Sequence, residues 1–178
     1  MTSGQTMLTL GAFAIFMTVL LSFYGILARS SETINDAQAG ITELTLATTY
    51  MEVAQSLAFD EASQDSFLTP SEISHLTAPA SFGPDNPAPG GEHTENGLKY
   101  FDDFDDLKNF EIVDSSLNGI VGTYKTRFDV NYVNATNVGL ISDVRTFTKR
   151  LDINVWRISP PSTDTLKATV IMGYFHFD

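Results

Sequence analysis

From Met7 to Ala28 the chain carries no charged residue, and this apolar block constrains its fold more than any other feature. Its 22 residues exceed the ~20 that an α-helix needs to cross a bilayer. Thr9, Thr18 and Ser22 are tolerable within it, because a helical hydroxyl can donate to the carbonyl four residues back. Three fates are open to such a segment: a cleaved signal peptide, a membrane anchor, or a helix that sits in a membrane before assembly and in a protein core afterwards. A secretory signal wants a basic leader and an apolar stretch of about 7–15 residues. This chain has no Lys or Arg before Arg29, and its stretch is longer.

The residues that follow favour the third fate. Ile34, Ala37, Ile41, Leu44, Thr48, Met51, Gln55 and Ala58 recur at spacings of three and four, with Glu32, Asp36, Glu43 and Glu52 off that stripe. No Pro occurs before Pro70. The pattern predicts a helix from Thr6 to about Gln64, ~90 Å long at ~1.5 Å per residue, which is far more than a bilayer requires. Residues 1–28 would be its apolar half and residues 29–66 its amphipathic continuation, with one face free to pack on a globular head.

Residues 67–109 read as an irregular, acidic region. Pro70, Pro79, Pro84, Pro87 and Pro89, with Gly83, Gly90 and Gly91, forbid long regular elements. Thr69-Pro-Ser-Glu72 has the pattern of a capping box and can open one short helical turn. Residues 110–178 alternate with period two in four stretches: Phe110–Val113, Tyr124–Tyr132, Arg150–Val155 and Leu166–Tyr174. Short connections between consecutive strands predict an antiparallel sheet. The expected fold class is therefore α+β, a long N-terminal helix packed on a C-terminal antiparallel head.

Composition excludes several functions. The net charge of −12 repels phosphate backbones, so nucleic acid is not an expected ligand. That charge is uneven: residues 1–66 carry one base against seven acids, residues 67–110 two against eight, and residues 111–178 seven of each. Without cysteine there is no disulfide, thiolate metal site or cysteine nucleophile. His75, His93 and His176 lack ligand spacing, no Ser-His-Asp arrangement stands out, and no Gly-rich loop opens a helix after a strand. An enzyme is not expected.

Gly4-Gln-Thr-Met-Leu-Thr9-Leu, followed by the apolar run and the long helix, resembles the start of type IV prepilins and pseudopilins. The resemblance covers roughly the first 60 residues, and the helix-plus-meander plan matches the pilin head. It implies a leader cut between Gly4 and Gln5 by a dedicated peptidase. The family's Glu, five places into the mature chain, is Thr9 here, the leader lacks a basic residue, and only Gly25 stands where the family often has a helix-breaking Pro. The implied role is a structural subunit of an extracellular filament. It would pass through the cytoplasmic membrane, engage a pilus assembly machinery and form a homopolymer. Met7, Leu8, Leu10, Phe13, Ile15, Phe16, Val19, Leu20, Phe23, Ile26 and Leu27 would make the polymer core. Alternatives are a minor pseudopilin or tip subunit of a secretion system, and a single-pass anchored binding module facing the exterior.

Two motifs stand apart from this role. Asp102, Asp103, Asp105 and Asp106 crowd four carboxylates into Phe101–Leu107, a pattern suited to a hard cation such as Ca²⁺. Their spacing does not match the EF-hand loop, although similar runs occur in pilin-like proteins and some pseudopilins hold calcium in their heads. The competing reading is a solvated acidic turn anchored by Phe101, Phe104 and Leu107, with no cofactor. Asn134-Ala-Thr136 fits the N-glycosylation acceptor pattern in a predicted exposed turn, a triplet that also arises by chance.

Overall fold

A single helix, α1 (Ser3–Ser56), spans 54 residues, about 81 Å at ~1.5 Å per residue. The computed structural model describes residues 3–64, 67–85, 95–115 and 122–175. Its contacts divide the chain into residues 1–41 and residues 42–178. In the first unit every described residue is helical. Thr9, Thr18 and Ser22 donate back to the carbonyls of Gln5, Ile15 and Thr18, so these hydroxyls cost the apolar helix little. The helix runs through Gly25 without a break. It is long and apolar enough to cross a membrane.

The second unit holds an antiparallel sheet against the end of α1. Its strands are β1 (Glu111–Asp114), β2 (Thr123–Asn134), β3 (Asn137–Ile141), β4 (Thr148–Ser159) and β5 (Leu166–Gly173). The order is β1-β2-β4-β5, with β3 folded back on the end of β2. Alternation places Tyr124, Phe128, Val130 and Tyr132 of β2, and Leu151, Ile153 and Val155 of β4, in the interior. Lys125, Arg127 and Asp129 alternate with them on the other face, where Lys125 pairs with Glu111 at 2.6 Å and Lys108 with Asp129 at 2.6 Å. The fold is α+β, as the periodicities predict.

The helix face that packs on the sheet differs from the expected stripe. Glu43, Ala47, Tyr50 and Ala54 are buried, while Ile41, Leu44, Thr48 and Gln55 are exposed and Met51 is half-buried. The inner sheet face is filled by bulky side chains, so a close approach suits Ala47 and Ala54 better than Ile or Leu. Tyr50 reaches between them and meets Phe128 edge-on, ring centroids 5.3 Å apart.

The helix also ends earlier than predicted, at Ser56 rather than near Gln64. Ala58 leaves it to bridge the acidic turn, its N–H donating to the Asp102 carbonyl at 3.0 Å and its carbonyl accepting from Phe104 at 2.9 Å. Asp60 then caps the short 3₁₀ turn Glu61–Ser63 through the Ala62 N–H.

Where residues 67–109 are described, they belong to the head. Pro70–His75 forms the short 3₁₀ turn expected after Thr69, whose N–H donates to Glu72 at 2.8 Å. Leu68 and Leu76 tuck into a second apolar cluster with Phe59 and Tyr132. The irregular segment thus wraps the head with its own buried anchors.

Candidate functional site

The acidic run folds around its apolar residues. Phe101, Phe104 and Leu107 are buried as expected, but the turn is not solvated: Asp103, Asp105 and Asp106 are each under 5% exposed, and only Asp102 lies open. Asp103 holds the backbone of the turn, its Oδ1 accepting the N–H groups of Asp105 (2.9 Å) and Asp106 (3.2 Å). Asp105 turns toward β4. The four carboxylates therefore do not converge on one point.

Two of them meet a residue the sequence reading missed. Carboxylate oxygens of Glu95, Asp102 and Asp106 lie within 4.8 Å of one another. The Asp85 N–H holds Glu95 Oε2 at 2.6 Å, and Asp106 Oδ2 accepts from the N–H groups of Asp102 and Asp103. Burial, then the charge of Glu95, pushes Asp106 up to about 8, so that it donates a proton to Glu95. Burial, then Asp102, Asp85 and Glu95, also raises Glu61 to about 7. This trio can share protons, or hold a hard cation through its oxygens. Glu95 lies in a Gly- and Glu-rich stretch, where only its distance from the Asp run in space, and not in sequence, reveals the role.

The second constellation is a buried ion triad. Lys149 is 0% exposed, and its Nζ donates to Asp60 Oδ2 at 2.8 Å, to Asp105 Oδ1 at 2.5 Å and to the Phe59 carbonyl at 2.7 Å. The rings of Phe59, Phe82 and Tyr132 surround it with centroids 4.7, 5.1 and 5.4 Å away. Asp60 is further fixed by Thr77, whose N–H donates to both of its oxygens, and by the Tyr132 hydroxyl. A signal for this did exist: the period of β4 puts Lys149 in line with Leu151, Ile153 and Val155, facing inward.

The helix supplies the largest apolar surface. Met7, Leu8, Leu10, Phe13, Ile15, Phe16, Val19, Phe23, Ile26 and Leu27 are 49–76% exposed, with Leu20 half-buried. Gly4 and Gln5 lie in the exposed first turns of the same helix, and the Thr9 hydroxyl is returned to the backbone at Gln5 and Thr6. Asn134 is exposed at the β2–β3 turn, its Oδ1 accepting from the Thr136 N–H at 2.9 Å and hydroxyl at 2.7 Å. His75 is exposed at the end of a 3₁₀ turn, while His93 and His176 lie outside the described residues. No family model, no curated protein and no solved structure matches the chain.

Proposed function

We propose that this chain is the repeating subunit of a type IV pilus-like extracellular filament, polymerising through the first half of α1. One observation carries the reading: the exposed apolar surface of α1 runs from Met7 past the membrane-length block to Ile34, Ile41 and Leu44. From Met7 to Leu44 is ~57 Å of helix, against the ~30 Å of hydrocarbon a bilayer offers. A simple anchor leaves Ile41 and Leu44 in water, whereas neighbouring copies of the same helix cover them. The likeness of Gly4-Gln5 and the apolar run to type IV prepilins supports the same reading.

The energetics are consistent with this role. In the membrane the apolar residues already face lipid, so assembly relies on packing and on machinery that extracts the subunit. Outside the cell, returning some 20 apolar residues to water costs tens of kcal/mol at about 0.8 kcal/mol per CH₂, which makes dissociation negligible. The head then forms the filament surface. The test is a charge in the core: Ile15→Glu or Leu20→Glu is expected to abolish filaments while the head keeps its unfolding midpoint. Normal filaments from either variant refute the core assignment.

A further inference from the structure

The Lys149 cage holds an arrangement suited to covalent chemistry as well as to ion pairing. An amine and two carboxylates meet there out of bulk solvent, since Lys149 and Asp60 side chains are 0% exposed and that of Asp105 is 5%. Amine and acid do not condense in bulk water, because they must first meet, shed solvent and surrender a proton. Held in register away from bulk solvent, such groups gain effective molarities of about 10⁵–10⁸ M, and keeping bulk water out also withholds the reagent for the reverse reaction.

We propose that Lys149 Nζ and the Asp105 carboxyl condense to an intramolecular amide that staples β4 to the acidic turn. The roles follow from the contacts. Lys149 is the nucleophile and Asp105 the electrophile, with Nζ 2.5 Å from Asp105 Oδ1. Asp60 Oδ2, 2.8 Å from Nζ on its other side, accepts the ammonium proton and frees the amine lone pair. Asp103 hydrogen-bonds the Asp105 carboxyl from the neighbouring turn. That contact can polarise the carboxyl for attack.

The step balances without any co-reactant. The Nζ–Cγ bond forms and one Cγ–O bond of Asp105 breaks. The departing oxygen leaves with the two protons lost by the ammonium, as water. Asp60, which takes a proton from the ammonium and passes it to that oxygen, finishes in the protonation state in which it began. The product exchanges two of the three buried charges for one neutral amide and leaves the Asp60 carboxylate held by the Thr77 N–H and the Tyr132 hydroxyl.

The bond would join residues 44 apart in sequence, in a chain with no cysteine from which to build a disulfide. Its effect would resemble that of a disulfide, restricting the unfolded chain. The inference does not depend on the filament reading, because the cage lies wholly within the head.

The experiment is peptide mapping of the purified full-length chain in detergent, which N-terminal processing does not affect. The expected result is a branched tryptic product joining Tyr100–Lys108 to Thr146–Arg150, lighter by one water than its two parts and with no cleavage after Lys149. Lys149→Arg and Asp60→Asn are each expected to return a linear Tyr100–Lys108 peptide. Full recovery of linear Tyr100–Lys108 and of Thr146–Lys149 from the wild-type chain overturns the proposal, whatever the variants do.

Discussion

Tyr50 on α1 donates a 2.8 Å hydrogen bond to Asp114 Oδ2 on β1, joining residues 64 apart in sequence. With the Tyr50–Phe128 ring contact, it ties the end of the helix to two neighbouring strands. Replacing Tyr50 with Phe keeps the ring and deletes the bond, so the head is expected to lose about 1 kcal/mol. Tyr50→Ala is expected to cost about 3–5 kcal/mol, as for other large core truncations. Urea unfolding followed by the fluorescence of the sole tryptophan, Trp156, measures both.

The two apolar faces of α1 should separate by mutation. Ala54 is fully buried against the sheet, so Ala54→Leu overpacks the head and is expected to destabilise it by about 1–3 kcal/mol. Leu44 is 57% exposed, so Leu44→Ala is expected to leave the unfolding midpoint within about 0.5 kcal/mol while lowering the yield of sheared filament. A filament yield unchanged by Leu44→Ala would show that neighbouring subunits do not cover this face.

Stability should fall as pH rises across the neutral range. Glu61 is raised from 4.5 to about 7, Asp106 from 3.8 to about 8 and Asp103 from 3.8 to about 9. An acid whose folded-state pKa is raised favours the protonated folded form. Its contribution is complete below the unfolded value and is lost as pH climbs through the folded one. The unfolding midpoint of the head is therefore expected to decline between about pH 5 and pH 9, and Asp106→Asn is expected to flatten part of that decline. A midpoint that rises over this range contradicts the protonation pattern.

The helix and the sheet were legible in the sequence because each has its own period. The uncharged run from Met7 to Ala28 could only be one long apolar element, and the alternation in Tyr124–Tyr132 and Arg150–Val155 located the two central strands, nearly to its ends for β2 but covering only the middle of β4. What escaped was set by contacts distant in sequence. The large aliphatics at Ile34, Ile41 and Leu44 mimic a buried stripe, yet the sheet's bulky inner face selects Ala47 and Ala54 instead. Strand β3 stayed hidden because all five of its residues are exposed, which leaves no alternation to read. The acidic run announced itself, but its sorting did not. Whether a given Asp caps a backbone, shares a proton with Glu95 or meets Lys149 depends on where α1 ends and β4 lies.

The measurement that tests the central claim most directly is mass spectrometry of fibres sheared from cells that make this protein. The account predicts that this chain is the dominant component of the washed fibre pellet, with a mass lacking residues 1–4 if the leader is cut between Gly4 and Gln5. Retention of the chain in the membrane fraction, with none in the fibres, contradicts it.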